Sequence, residues 1–217
     1  MSNAIVTPTP SVAAILEEDI LFGRLRPRER LVEDELMERI GATRHAVRHA
    51  LLELEAMGVV VRVPNKGAQV RDFTRAEIDE ICRMRDLLHQ AAVLNIPLPV
   101  DQSWVDSLEK LQRAHSAAVA KCSPIDIHRT NNAFHDALYA GSCNRYLAKT
   151  IHEYAQLSLP YRCHLMTRID KAENAELEHR AMIECLRSGD ISGLANLCVK
   201  HTRPARDVYA AIQGWPT

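Results

Sequence analysis

Apolar positions in the first 72 residues recur in patterns that predict three short helices followed by a hairpin. Each helical segment places its apolar residues on one face, and Ser11, Gly41 and Thr43 supply cap and stop residues. The segment 59–63 is β-branched, and turn-forming residues separate it from a second short strand. The predicted elements are helices over 11–22, 32–40 and 43–57 and strands over 59–63 and 68–71.

The second and third helices are joined by a three-residue turn, Gly41-Ala42-Thr43, which is the spacing of a helix-turn-helix. On a helical wheel, the third helix has an apolar arc beside a basic arc that contains Arg44, His45 and Arg48. An exposed helix of this kind fits the major groove of DNA, where arginine can donate two hydrogen bonds to guanine. A basic arc alone usually means a solvated surface, but the helix-turn-helix spacing favours DNA binding.

The predicted hairpin carries Lys66 and Gly67 at its tip, which indicates a wing that approaches phosphates or the minor groove. Charge is distributed unevenly around these elements. Residues 39–71 hold five arginines and one lysine against two glutamates, a balance of +4, although the whole chain has a net charge of −1. A local basic block of this kind is an electrostatic footprint for nucleic acid.

Beyond residue 73 the sequence shows only helical periodicity, with few aromatic residues, which predicts an antiparallel all-α bundle of about six helices. The predicted fold class is therefore mainly α, with a winged helix-turn-helix before the bundle. We divide the chain into a disordered lead over 1–10, a DNA-binding domain over 11–73 and a helical domain over 74–213. The helices of the bundle are predicted over 74–95, 102–120, 124–141, 144–166, 172–188 and 191–212.

Composition adds the cellular context. Apolar residues make up 47% and charged residues 25% of the chain, an ordinary globular mixture, and no apolar run reaches the ~18–20 residues of a membrane span. The cysteines form no CxxC pair, which favours reduced thiols and a cytoplasmic protein. They are Cys82, Cys122, Cys143, Cys163, Cys185 and Cys198.

Three histidines of the predicted bundle have a spacing that indicates a metal site. His179 and His201 are equidistant from the turn at Gly189-Asp190, so an antiparallel hairpin places them at the same level. Asn131 precedes His135 by four residues and shares its helix face. Three imidazoles and one oxygen donor form a plausible set for Zn²⁺ or Ni²⁺. Any one of these histidines alone would more often be an ordinary core or surface residue.

Arg85 interrupts the apolar stripe of the first helix in the bundle, beside Ile81 and Leu88. A guanidinium that faces a bundle interior needs an anion, which is either an internal acid or the carboxylate of a ligand. Weaker candidates for the same ligand are Arg129, Arg162 and Arg180, which lie near the histidines in sequence.

The first domain resembles the DNA-binding domain of the GntR family over residues 12–72. The run GRLRPRERLVEDELMERIGATRHAVRHALLELEAMGVVVRVPNKGAQV is similar to the family's opening, its helix-turn-helix core and its P-x-x-G wing. This resemblance implies that Arg44 and Arg48 read bases, that Thr43 contacts a phosphate, and that Lys66 and Gly67 serve the wing. The chain departs from the family pattern at Arg28 (usually Gly), Ala46 (often Pro) and His49 (often Glu).

Residues 74–212 resemble the FCD sensor domain of the FadR-type branch of GntR regulators. The runs EICRMRDLLHQAA, NNAFHDALYAGSCN and ELEHRAMIECLRSGDISGLANLCVKH are similar to that domain's signature segments. The resemblance implies four metal ligands and a small organic acid as effector, with His89 near Arg85 where the family usually has Glu. The four implied ligands are Asn131, which stands where the family has Asp, His135, His179 and His201.

These observations predict a DNA-binding transcriptional regulator that binds a pseudo-palindromic operator as a homodimer. We expect a repressor whose DNA binding is controlled by a small carboxylate effector, with assistance from a metal ion. One alternative is a regulator that senses a metal ion alone, which would have no need of Arg85. A metal-dependent enzyme is a more remote alternative, because no HExxH or comparable motif is present and the DNA-binding domain would be unexplained. We therefore expect no enzymatic activity.

Overall fold

The computed structural model describes residues 10–64, 66–162, 165 and 168–215. The chain forms two compact units that divide between Asp72 and Phe73. The disordered lead predicted over 1–10 lies outside the described residues except for Pro10. Asn65 of the predicted hairpin turn and Cys163 lie outside them as well.

The N-terminal unit begins with three helices whose ends are fixed by the predicted caps. The hydroxyl of Ser11 accepts a hydrogen bond from the amide of Ala14, and Thr43 accepts one from Ala46. Gly41 ends the second helix in the left-handed conformation at φ 70°. The buried faces pack into one core between the helices, which are α1 (Val12–Leu21), α2 (Glu33–Ile40) and α3 (Arg44–Ala56).

The N-terminal unit also contains an antiparallel sheet, which has one strand more than the sequence predicted. The two strands of the wing are present, and a two-residue strand pairs with the second of them. A segment this short carries no periodicity that could reveal it. Arg28, just before this strand, adopts a left-handed φ of 68° at the position where the family usually has glycine. The strands are β1 (Arg30–Leu31), β2 (Val60–Val63) and β3 (Gly67–Val70), in the order β1-β3-β2.

The described residues of the C-terminal unit form a helical bundle with two apolar clusters. The larger cluster is built from the long helices and includes Phe134, Leu138 and Met182, all fully buried. The smaller cluster surrounds Tyr161 and Tyr209. The helices are α4 (Arg75–Leu94), α5 (Gln102–Ala120), α6 (Pro124–Ala140), α7 (Arg145–Leu157), α8 (Leu159–Arg162), α9 (Ile169–Ser188) and α10 (Ile191–Ile212).

The helix predicted over 144–166 is not continuous. It ends at Leu157, and the single turn of α8 follows after Ser158. Pro160 explains the break, because proline has no N–H to donate to the preceding turn and its ring clashes with a carbonyl of that turn. Part of the remainder of the predicted helix, including Cys163, lies outside the described residues.

The predicted fold class is confirmed: a winged helix-turn-helix is followed by a helical bundle. Among the described residues, no helix combines the length and apolar character that a membrane span requires.

Candidate functional site: a basic recognition helix and a buried histidine cluster

Helix α3 presents the basic arc that the sequence predicted. Arg44, His45 and Arg48 are exposed, whereas Val47 and Leu54 on the opposite side are fully buried. Thr43 begins the helix, so its backbone and hydroxyl lie at the end where the helix dipole favours an anion such as phosphate. The surface needed for groove recognition is therefore available in this unit.

Two acids of α2 hold the guanidinium groups of this arc, and sequence reasoning missed them. Arg44 donates to Asp34 at 2.5 Å and to Glu33 at 3.4 Å. The Nε atom of Arg48 lies 3.0 and 2.9 Å from the two carboxylate oxygens of Glu33. We refer to these four side chains as the recognition-helix ion-pair network. Exposed pairs of this kind contribute only ~0–1 kcal/mol each, so DNA can displace them.

The tip of the wing carries the other predicted DNA contacts. Lys66 is exposed in the turn between β2 and β3, and Gly67, also exposed, is the first residue of β3. Gly67 adopts φ 75°, a conformation that L side chains rarely adopt, and it leaves the backbone open to close approach.

Three histidines from three helices meet inside the bundle, and we call them the histidine triad. His135 of α6, His179 of α9 and His201 of α10 each offer a ring nitrogen, and these atoms all lie within 4.8 Å of one another. The Nε2 atoms of His135 and His179 are 3.1 Å apart. Two nitrogens bound at 2.0–2.1 Å to one ion stand roughly 3 Å apart, so this spacing fits a shared metal.

Hydrogen bonds on the far side of two rings fix their orientation. The Nδ1 atom of His179 lies 3.0 Å from the amide oxygen of Gln112, whose own NH₂ donates to the carbonyl of Glu176. Because that oxygen can only accept, His179 donates through Nδ1 and keeps the Nε2 lone pair free. The Nδ1 atom of His201 is likewise 2.8 Å from the carboxylate of Glu178. Such outer partners are typical of metal-binding histidines.

The protonation states of His135 and His179 also suit a metal, since only neutral imidazoles coordinate. Burial holds the pKa of His179 well below its ordinary value, with a further decrease from the nearby charges of His201 and His115. Burial likewise lowers the pKa of His135, whose Nδ1 atom is buried without a described partner. Asn131 is half-buried, and its amide contacts Asn132 at 3.5 Å; no described hydrogen bond joins it to the triad. The three histidines therefore fit a transition metal such as Zn²⁺ or Ni²⁺.

Two arginines lie buried in the same bundle, and we call them the arginine pair. Arg85 of α4 and Arg162 of α8 are each 8% exposed. Burial, followed by the neighbouring charge of Arg85, lowers the pKa of Arg162 to about 10. Arg85 donates to the hydroxyl of Ser158 at 3.4 Å, while its Nε atom has no partner among the described residues. No described carboxylate forms an ion pair with either guanidinium.

Electrostatic effects link the arginine pair to the histidines. Burial lowers the pKa of both His135 and His128, and the charge of Arg162 lowers both further. The pKa of His128 is lowered to about 3. His89 is buried, and its ring stacks on Tyr139 with centroids 4.9 Å apart. Burial and then the charge of Arg85 lower the pKa of His89. The cluster therefore combines two cations with buried histidines whose pKa values are lowered, a composition that favours an anionic ligand.

The structure does not bring the other two predicted arginines into this cluster. Arg129 is exposed and pairs with Asp126 at 2.6 Å. Arg180 is exposed and pairs with Glu176 at 2.5 Å, one helical turn away. Each has a local acid, so neither requires an anion from a ligand.

Several residues of the cluster were missed in the sequence. Gln112 carried a signal, because it interrupts the apolar stripe of α5 between Leu108 and His115 at helical spacing. Glu178 and Ser158 carried none, since their roles depend on which helices become neighbours.

The fold and both sites define a class of protein: a regulator of transcription with a winged DNA-binding unit and a helical sensor unit. Residues 8–70 match the model of the gntR family of bacterial regulatory proteins, and residues 80–203 match that of the FCD domain. The chain belongs to the GntR family and carries an FCD domain, which confirms the resemblance read from the sequence.

Curated relatives and solved structures agree with this assignment. The regulator YdhC of Bacillus subtilis strain 168 is 30% identical over 172 residues, covering 78% of this chain and 76% of its own. McbR of Escherichia coli K12 is 27% identical over 194 residues, which cover 87% of this chain and 86% of McbR. The solved structure of E. coli McbR/YncC has the same fold, with a TM-score of 0.78 and 21% identity. The match covers 93% of this chain and 96% of that one. These relatives are transcriptional regulators, which confirms that the chain is not an enzyme.

We predict that Arg162→Met raises the free energy of unfolding of the ligand-free protein. The variant removes a buried cation that lacks a described acid, and because desolvation costs on the order of several kcal/mol per buried ion, we expect a gain of about 1–4 kcal/mol. Urea denaturation measures the change. The matched control is Arg129→Met, an exposed and paired arginine, which should change stability by less than about 0.5 kcal/mol. A large destabilisation by Arg162→Met alone would show that an internal partner already satisfies the guanidinium.

Proposed function

We propose that the protein is an effector-controlled repressor that reads its operator through α3 and binds a small organic acid in the FCD bundle. The observation that carries the effector assignment is the arginine pair, two buried guanidinium groups with no carboxylate partner among the described residues. A ligand carboxylate would supply the missing charge together with bidentate hydrogen bonds.

DNA recognition divides between two kinds of contact. Arg44 and Arg48 are exposed on α3 and can donate to guanine in the major groove, while His45 lies on the same exposed arc. Thr43 at the helix start and Lys66 and Gly67 at the wing tip would make phosphate or minor-groove contacts. Base contacts carry specificity, and phosphate contacts carry affinity that depends on salt.

We predict that Arg44→Ala or Arg48→Ala weakens operator binding by about 1–3 kcal/mol and relaxes preference at one base pair per half-site. Lys66→Ala should instead weaken binding to all DNA equally and reduce its salt dependence. Fluorescence anisotropy with operator and random duplexes at several salt concentrations distinguishes the two patterns. Equal losses on both duplexes for the arginine variants would remove them as base readers.

A homodimer would match a two-fold operator, and α4 offers a surface for it. Met84, Leu87 and Leu94 are exposed on one side of α4, opposite the buried side that contains Ile78 and Ala92. Three large apolar side chains at helical spacing form a stripe that a second copy can cover.

We predict that the double change Leu87→Asp and Leu94→Asp converts the dimer to a monomer, because it places charges in the interface. Sedimentation velocity reads the change directly. Leu177→Asp, at an exposed leucine on α9, is the matched control and should leave the dimer intact. Unchanged mass of the double variant would place the interface elsewhere.

The metal would be held by His135, His179 and His201, with Asn131 as the fourth ligand in place of the family's aspartate. When bound, the ion would act as a Lewis acid that attracts an oxygen of the effector. Among the protein's own residues, Gln112 orients His179 and Glu178 orients His201.

We predict that Zn²⁺ or Ni²⁺ raises the melting temperature of the wild type but not of His179→Ala, because a ligand stabilises only the state that binds it. Gln112→Leu should lower metal affinity by about 10–100-fold through loss of the outer hydrogen bond. Asn131→Asp should tighten binding. His152→Ala is the control, since His152 is exposed on α7 and paired with Asp136. If elemental analysis finds no more metal in the wild type than in His179→Ala, the site is not metallated.

We predict that a small hydroxy-, keto- or dicarboxylic acid stabilises the protein and changes its affinity for DNA. Arg85→Met should abolish both responses, because it removes the charge that holds the carboxylate, whereas Arg129→Met should keep them. A thermal-shift screen of organic acids comes first, followed by the variants against each hit. Equal stabilisation of Arg85→Met and the wild type would exclude Arg85. A screen in which only metal ions act would favour the alternative of a metal sensor.

A further inference from the structure

The recognition-helix ion-pair network contains one acid, Asp34, whose contact with α3 goes beyond stabilising its own helix. Asp34 lies in the first turn of α2 with Glu33 and Glu35, where acids favour the helix dipole. Glu35 provides that effect without contacting either arginine among the described residues. Asp34, however, reaches across to α3 and accepts from the terminal NH₂ of Arg44 at 2.5 Å.

The contacts constrain Arg44 from two directions. Its NH2 atom donates to Asp34 and its NH1 atom to Glu33, at 2.5 and 3.4 Å. A guanidinium has five N–H donors, so hydrogens remain free for a further acceptor while both acids stay in place. The side chain of Asp34 is 72% exposed, so its negative charge lies at the surface that α3 presents.

The two acceptors that DNA offers respond differently to this charge. A phosphate is an anion, so it must compete with the carboxylate for Arg44 and is repelled by Asp34. The O6 and N7 atoms of guanine are neutral acceptors and can share the guanidinium with the carboxylate. Asp34 therefore penalises binding through phosphate contacts more than binding through base contacts.

We propose that Asp34 is a specificity-determining residue, which holds Arg44 for a guanine edge and discourages its use on phosphate. The proposal rests on the assignment of Arg44 as a base reader under the proposed function. Asp34 acts through Arg44 and is a positioning residue rather than a direct contact to DNA. The measurable consequence is the ratio of affinities for operator and non-operator DNA.

The experiment compares Asp34→Asn with Glu35→Gln, which removes the same charge one residue further along the same turn. The probes are a duplex selected from a random library by the wild-type protein and a scrambled duplex of equal length and composition. Fluorescence anisotropy at one salt concentration gives both affinities. Asp34→Asn should strengthen binding to the scrambled duplex about three- to tenfold and lower the specificity ratio by a similar factor. Glu35→Gln should strengthen both affinities equally and leave the ratio unchanged.

Arg44→Ala and the double variant Arg44→Ala/Asp34→Asn complete the test. The two should have the same specificity ratio, because Asp34 has nothing to position once Arg44 is absent. If Asp34→Asn and Glu35→Gln have the same ratio as the wild type while Arg44→Ala lowers it, the proposal for Asp34 is wrong and the base-reading role of Arg44 stands. If Arg44→Ala itself leaves the ratio unchanged, both assignments are wrong. Because Asp34 is exposed, all variants should keep the wild-type melting temperature within a few degrees.

Discussion

Burial of positive charge without a matching carboxylate is the constraint on which the helical unit depends. Arg85 and Arg162 are both buried, and burial together with their mutual repulsion brings the pKa of Arg162 down to about 10. A buried cation without an anionic partner is costly. The surrounding histidines cannot supply an anion, and burial lowers the pKa of His89, His135 and His179, so these rings add no further positive charge. The same neutral rings leave nitrogen lone pairs available to a metal. An anionic ligand would therefore pair with the arginines of this cluster, and a metal ion would bind its histidines.

In the DNA-binding unit, by contrast, the arginines of α3 are exposed and paired with acids. Arg44 and Arg48 remain at the surface, and Glu33 and Asp34 satisfy them in the absence of DNA. Such exposed pairs contribute little stability, so a guanine edge can share the guanidinium groups with these acids at little cost. The two units thus differ in the acids near their arginines. Glu33 and Asp34 pair with the arginines that we assign to DNA, whereas no described acid pairs with the arginines that we assign to the effector.

Local rules made much of this organisation readable in the sequence. Neighbouring residues alone determine the turn at Gly41 and Thr43 and the spacing of apolar and basic residues on α3. The same holds for His179 and His201, which face each other because they are equidistant from a short hairpin turn. The approach of Arg162 to Arg85 was not predictable in this way, because it depends on how α8 packs in the bundle. The break that creates α8 follows from Pro160, a local signal that outweighed the apolar periodicity around it. The partners of Arg44 on α2 depend likewise on the angle between two helices.

Native mass spectrometry of the freshly purified protein, compared with its mass under denaturing conditions, shows whether the helical unit holds both ligands. We expect the native mass to exceed that of the bare polypeptide by a metal ion and a small acid per chain. Dialysis against a chelator and exchange into acid-free buffer should remove both, and Arg85→Met should retain the metal but not the acid. A native mass equal to that of the bare polypeptide, even after incubation with Zn²⁺ and an organic-acid mixture, would show that the cluster holds neither ligand.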